Sequence, residues 1–124
     1  MLSKYMAKSP ILFLLHIRDA INSINTYIKD QTFEQFRSDR KTQDAVIRQL
    51  EIIGEATTDL ENDFKTKYPK IPWREIGDFR NVLAHEYWDI DIEIVWKAAT
   101  KDIEELNRSI LPIIKNSKKR NRNA

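Results

Sequence analysis

The chain has 124 residues, of which 41% are hydrophobic and 32% are charged, and its formal net charge is +2. This length suffices for one domain with one sizeable core, and the composition is that of a folded soluble protein rather than a disordered one. The absence of cysteine excludes disulfides and cysteine-based metal sites. The longest apolar run, residues 11–15, is too short for a membrane span or a signal sequence, so we expect a cytoplasmic protein.

The basic charge is concentrated at the C-terminus. Residues 115–124 contain five lysines and arginines and no acid, which leaves residues 1–114 with a net charge of −3 once those five are subtracted from +2. Such a segment is able to touch a nucleic-acid backbone, but a short charged terminus is more often only solubilising. The composition therefore predicts one helical domain over residues 1–114 and a basic, disordered tail over residues 115–124.

The first half of the chain has the spacing of amphipathic helices. Only two glycines and four prolines interrupt the sequence, which favours long helices over a sheet. A first long helix is predicted after Pro10, and Thr32 fits the N-cap of a short helix over residues 33–37. A second long helix is predicted from about residue 42 to about residue 67. Gly54 inside it indicates that another backbone passes close by.

The second half predicts two further long helices. Pro72 suits the start of a third helix, which runs from residue 73 to residue 86 or 87. Asp89 or Asp91 is able to cap a fourth, which ends near Lys115, and the proline three residues earlier should kink or fray its last turn. The chain shows neither internal repeats nor strand-like alternation. The pattern predicts an all-α, bundle-like domain with four long helices.

The third predicted helix concentrates side chains that carry chemistry. Arg80, Asn81, His85 and Tyr87 fall within eight residues. They combine a permanent cation, an amide, an imidazole that titrates near neutrality and a phenol. Together these groups suit the binding and cleavage of a phosphodiester, and His85 is the candidate for proton transfer.

Helical geometry predicts where these groups point. At ~100° per residue, Ile76, Phe79 and Leu83 form the core face of the third helix. The opposite face combines small and functional side chains: Gly77, Asn81, Ala84, His85 and Trp88. Arg80 and Tyr87 lie on a neighbouring stripe. Because small residues let another helix approach closely, we expect this face to meet a second subunit in a symmetric dimer.

Simpler interpretations exist for each residue taken alone. A lone histidine on a helix is usually structural, and an exposed arginine is usually solvated; their coincidence on one helix favours a functional site. Glu55, on the preceding helix, either faces the same cleft or is a solvated carboxylate. His16 and His85 lie in separate helices, without a carboxylate at metal-ligand spacing, so no metal site is predicted.

The ordered set of motifs resembles HepT-type toxins of the HEPN superfamily. The signature is Arg80, four intervening residues, His85, one residue and Tyr87. The similarity extends through a Gly-Glu-Ala segment within residues 52–56 and through residues 68–76 and 90–96, and it covers roughly residues 10–114. The resemblance implies a four-to-five-helix up-and-down bundle of HEPN type that forms a homodimer.

The same resemblance implies a function. It identifies the chain with the toxin of a HEPN/MNT toxin–antitoxin system, a metal-independent endoribonuclease that cleaves RNA by attack of the 2′-hydroxyl and uses no cofactor. Arg80 and His85 are then catalytic, and Asn81 positions the substrate. Tyr87 is the residue that a nucleotidyltransferase antitoxin of the MNT type would modify with AMP to silence the toxin.

Two other interpretations stay open. The first is a non-catalytic helical dimer that binds nucleotide or assists a partner nucleotidyltransferase, with Arg80 and His85 contacting phosphate. The second is a structural interaction module with Trp88 and Trp96 buried at the dimer contact.

Overall fold

The computed structural model describes residues 9–85 and 91–123; the side chains of residues 84, 85 and 119–123 are not described. This part of the chain contains helices and no strand, which confirms the all-α prediction. The helices are α1 (Pro10–Tyr27), α2 (Phe33–Arg37), α3 (Arg40–Asp59), α4 (Asn62–Thr66), α5 (Trp73–His85), α6 (Ile92–Lys97) and α7 (Ile103–Asn123). A π-helical segment, Ala98–Asp102, joins α6 to α7. The central helix is α3, which packs against both α1 and α5.

The first two helices begin at the predicted residues. The side chain of Ser9 accepts a hydrogen bond from the amide of Ile11 (3.3 Å), and Pro10 at the first helical position has no amide hydrogen to leave unpaired. Thr32 and Gln35 form a reciprocal capping box, with hydrogen bonds of 3.2 Å and 2.9 Å. Both helix starts follow from local side-chain chemistry.

The second long helix is interrupted, contrary to the prediction of one helix to residue 67. Its start is capped by Asp39, whose carboxylate accepts hydrogen bonds from the amide (3.1 Å) and the hydroxyl (2.6 Å) of Thr42. Leu60 and Glu61 are extended, with ψ of 136° and 148°, so α3 ends at Asp59. The extended backbone places Leu60 in the core, where it is 3% exposed. Burial of this leucine explains why the chain leaves the helical path here.

Helix α5 is fixed at its start and along its core face. The indole of Trp73 is 7% exposed and donates a hydrogen bond to the carbonyl of Tyr68 (3.1 Å), which anchors the turn before the helix. Leu83 is 2% exposed, and Ile76 and Phe79 pack partly buried against the core. The predicted core face is confirmed. The predicted end at residue 86 or 87 lies outside the described residues.

The last long helix contains an unpredicted π-helical segment. Asp91 caps α6, as predicted, by accepting a hydrogen bond from the amide of Glu93 (2.9 Å). The π segment holds one residue more than an α-turn and rotates the following helix by ~100°. Ala98 and Ala99, the first two residues of the π segment, are both buried.

The chain also stays helical beyond the predicted end near Lys115. Pro112 lies inside α7, which continues through residues 115–123, the segment expected to be a disordered tail. Pro112 removes one helical hydrogen bond, but the buried Ile113 and Ile114 hold the next turn against the core. Lysine and arginine favour helix and complement the negative end of its dipole. Of the helices in the described ranges, none has the combination of length and apolar character needed to cross a membrane.

Candidate functional site

Arg80 leaves α5 on the side that faces α3. The two helices come very close at Gly54, where a Cβ atom would lie 2.8 Å from the Cβ of Arg80 and 3.5 Å from the carbonyl oxygen of Ile76. Only glycine leaves room for this approach. The prediction that another backbone passes close to Gly54 is confirmed, and that backbone belongs to α5.

A second close approach lies one turn away, at Gly77. A Cβ atom there would lie 3.0 Å from the hydroxyl oxygen of Thr58, which itself donates a hydrogen bond to the Gly54 carbonyl (2.9 Å). Because Gly54 faces Arg80 and Thr58 faces Gly77, α3 and α5 run antiparallel. The sequence pattern assigned the close approach at Gly77 to a second subunit. In the structure α3 of the same chain makes it.

The side of this helix pair away from the core carries polar side chains of both helices. At ~100° per residue, the two contacts place Arg48, Glu51 and Glu55 on the same side of α3 as Asn81 on α5. Arg80 is half-buried between the helices, and Asn81 is exposed. We call this surface the α3–α5 groove. It brings two of the predicted site residues together with a charged cluster from α3.

The charged groups of the groove differ in their pairing. One guanidinium nitrogen of Arg48 lies 3.5 Å from a carboxylate oxygen of Glu51 and 3.9 Å from one of Glu55. The side chain of Glu55 is 48% exposed, so this cluster contributes little to stability. Within the described residues, Arg80 makes neither an ion pair nor a hydrogen bond. None of these residues therefore competes with an anionic ligand for its guanidinium.

The remaining predicted residues are only partly described. His85 is the last residue of α5, and helical geometry places its backbone one turn beyond Asn81 on the same face. Its side chain is not described, and Tyr87 and Trp88 lie outside the described residues. The sequence reasoning missed Arg48, although its spacing of three and seven residues from Glu51 and Glu55 is a recognisable helical pattern.

Trp96 packs within its own chain. Its ring centroid lies 5.0 Å from that of Phe36 and 6.1 Å from that of Phe33. Within the single chain its ring is therefore partly buried against α2, and its place at a dimer contact stays a prediction.

An apolar cavity lies on the opposite side of α5 from Asn81. Its volume is ≈ 380 Å³, and its lining includes Leu50, Ile53, Ile76 and Phe79 together with residues of the π segment and α7. Arg80 does not line it. The cavity and the α3–α5 groove are separate features. Among the residues that the structure describes, no group of three or more acidic and histidine side chains is placed to hold a metal ion.

Comparison with known proteins gives one family and several relatives. A family model described as "Ribonuclease HepT-like" matches residues 17–113. The "Probable ribonuclease HepT" of Thermococcus cleftensis is 45% identical over 101 residues, which cover 82% of this chain and 92% of that protein. No significant match was found among solved structures.

Two longer alignments reach proteins named with the words "putative RNase". One, from Caldanaerobacter subterraneus subsp. tengcongensis, is 36% identical over 111 residues, 90% of this chain and 99% of that protein. The other, from Methanocaldococcus jannaschii, is also named a gamma-glutamylcyclotransferase, and it is 39% identical over 118 residues. This alignment covers 95% of the chain, which spans only 53% of that relative.

Proposed function

Because this chain belongs to the HepT-like ribonuclease family, we propose that it is an endoribonuclease that cleaves RNA in the α3–α5 groove. The observation that carries the proposal is the position of Arg80. Its backbone is fixed over Gly54, its guanidinium is unpaired within the described part of the chain, and His85 follows in the same helix.

The proposed reaction is an internal transesterification. The 2′-oxygen loses its proton and attacks the adjacent phosphorus, the bond from phosphorus to the 5′-oxygen breaks, and that oxygen takes up a proton. The products are a 2′,3′-cyclic phosphate and a 5′-hydroxyl. His85 transfers a proton in this sequence, because a neutral imidazole is a suitable base and an imidazolium a suitable acid near pH 7.

Arg80 and Asn81 complete the proposed machinery. Arg80 donates hydrogen bonds from a permanent cation to the nonbridging oxygens, where negative charge develops in the transition state. Asn81 is exposed on the face shared with position 85 and positions the phosphate. Arg80 accounts for the developing negative charge and His85 for one of the two proton transfers, without a metal ion or a cofactor.

The family resemblance supplies the proposed biological setting. The chain would act as a homodimeric toxin that an MNT-type nucleotidyltransferase antitoxin silences by transferring AMP to Tyr87. An AMP group two residues from His85 would add bulk and negative charge and would compete for Arg80.

Substitutions on one helix test the catalytic proposal. We expect Arg80→Ala and His85→Ala each to reduce RNA cleavage by at least about a hundredfold, the scale of lost transition-state donors and proton carriers. Arg74→Ala is the matched control, because Arg74 is 91% exposed on the same helix and pairs only loosely with Asp78 (3.8 Å). Cleavage that survives either of the first two substitutions refutes the assignment.

The products and the metal requirement test the mechanism. We expect a 2′,3′-cyclic phosphate terminus and cleavage that persists in excess chelator. Activity that disappears in chelator and returns with Mg²⁺ would contradict the metal-independent reaction. A purified protein that binds RNA but never cleaves it would instead support the non-catalytic module.

Mass spectrometry tests the silencing proposal. Co-expression with a neighbouring nucleotidyltransferase should add one AMP to the wild type and none to Tyr87→Phe. Addition at another residue would remove this role from Tyr87 and leave the cleavage assignment intact.

A further inference from the structure

The last turns of α7 form a basic surface that the proposed reaction does not use. The helix continues to Asn123, and residues 115–123 contain five cations and no acid. Four of these cations follow the spacing i, i+3, i+4 and i+7, which places them on one face of an α-helix. We call this set the terminal basic face: Lys115, Lys118, Lys119 and Arg122.

The two residues of the terminal basic face whose side chains are described, Lys115 and Lys118, lie away from the core. Ile110, Ile113 and Ile114 are buried, with 0%, 8% and 3% of their surface exposed. At ~100° per residue they lie on the side of α7 roughly opposite the cations. Lys115 and Lys118 are exposed, and within the described residues neither makes an ion pair. The charges of these two lysines are therefore presented to solvent.

We propose that the terminal basic face binds the phosphate backbone of RNA and retains long substrates on the enzyme. The inference rests on the proposed ribonuclease activity for the identity of the polymer. Four cations spread along ~10 Å of helix suit a regularly charged polyanion, whose counterions they displace. A membrane surface fits less well, because an interfacial helix also needs apolar residues and residues 115–123 contain none.

A helix-stabilising role is the competing explanation for these cations. Positive side chains in a last turn favour the helix through its dipole and need no ligand for that effect. The two roles differ in what they do to the salt dependence of RNA binding, which a purely stabilising role leaves unchanged.

The main test removes the charge and keeps the length of the helix. The probe is a single-stranded RNA with 2′-O-methyl riboses, which is bound but lacks the attacking hydroxyl. Dissociation constants are measured by fluorescence anisotropy across a range of KCl concentrations for the full chain and for a variant with all four residues of the terminal basic face changed to Gln. A charge-matched control carries four Lys→Gln changes at exposed positions of the body: Lys29, Lys67, Lys97 and Lys101.

The expected result is a change of slope. Each phosphate contact contributes about 0.7 to the slope of log Kd against log salt for a single strand, so the terminal variant should lose up to about 3 and bind at least about tenfold more weakly at low salt. The control should lose much less. An unchanged slope in the terminal variant, or an equal loss in the control, overturns the proposal.

Two further measurements separate an ordered face from charge alone. Ser117→Pro breaks the helix and keeps every cation, so it should lower the slope of log Kd against log salt. A slope equal to that of the wild type would show that helical order is irrelevant, and would contradict binding by an ordered face. Binding of the wild type to vesicles rich in phosphatidylserine, without a change in RNA slope in the terminal variant, would assign the cations to membranes instead.

Failure of the proposed ribonuclease activity can be distinguished from failure of the RNA-binding proposal. If neither the wild type nor any variant cleaves RNA, the ribonuclease assignment fails, but the uncleavable probe still reports the salt dependence of RNA binding. If the terminal variant cleaves a very short oligonucleotide like the wild type and a long RNA poorly at low concentration, both proposals hold.

Discussion

Replacement of Gly54 by alanine provides a direct test of how the structure positions Arg80. The new Cβ would lie 2.8 Å from the Cβ of Arg80, a distance that real Cβ atoms essentially never show, and a shift of 0.6 Å would restore ordinary contact at 3.4 Å. The atom in the way is next to the backbone rather than at the end of a long side chain. The helix itself has to shift.

The energetic and catalytic consequences should differ in size. Overpacking of this kind costs about 1–3 kcal/mol. Alanine recovers about 1 kcal/mol of helix propensity relative to glycine. The net loss of unfolding free energy is therefore about 0–2 kcal/mol. Because misplacement of a catalytic group by about 1 Å is able to cost a hundredfold in rate, cleavage should fall at least about tenfold while the fold persists.

Gly77→Ala is the matched control for this experiment. Its Cβ would meet only the hydroxyl of Thr58, at 3.0 Å, and that side chain is able to rotate at the cost of one hydrogen bond to Gly54. That loss is about 1 kcal/mol, which the gain in helix propensity nearly offsets. Urea denaturation and cleavage rates are measured on both variants. A Gly54→Ala protein that is more stable than the wild type and fully active would refute the reasoning.

Three further predictions address the rest of the molecule. Hydrogen bonds from the hydroxyl and amide of Thr42 lower the pKa of Asp39 below its ordinary value of 3.8. This carboxylate therefore stabilises the fold above that pH, and its contribution is lost as the pH falls through the lowered pKa. The difference in unfolding free energy between wild type and Asp39→Asn should shrink on acidification, and a constant difference would contradict the helix cap. Phe36→Ala removes a side chain that is 0% exposed and should cost about 3–5 kcal/mol in thermal or urea unfolding, whereas a loss below about 1 kcal/mol would contradict its burial. Arg48→Gln releases the two carboxylates of Glu51 and Glu55 on the α3–α5 groove and should lower kcat/KM for RNA several-fold, an effect that added salt should reduce. Unchanged kinetics would show that these charges do not affect the reaction.

Periodicity predicted the long helices well because most of their buried residues come from regular stripes. It failed at Leu60 for a specific reason. Leu60 and Phe64 continue the alternating three- and four-residue spacing of the preceding helix. A two-residue extended break leaves that spacing intact, so no pattern along the chain reveals it. The backbone dihedral angles do.

The sequence allowed residues of the candidate site to be proposed, but not the direction in which Arg80 leaves its helix. A single helical wheel shows which residues of α5 share a face, but not which faces a neighbouring helix covers. Gly54 carried the missing information, because a glycine inside a stripe marks a close approach without naming the partner. The structure identifies Arg80 as that partner, and it assigns Gly77 to the same helix pair rather than to a second subunit.

The π-helical segment has a consequence well beyond its five residues. Since it adds a residue to one turn, it sets the rotational phase of every side chain that follows. Removal of a single residue between positions 98 and 102 would restore an unbroken α-helix and turn the far end by ~100° relative to the bundle. The lysines and arginines twenty positions later would then be aimed elsewhere, although none of them had changed.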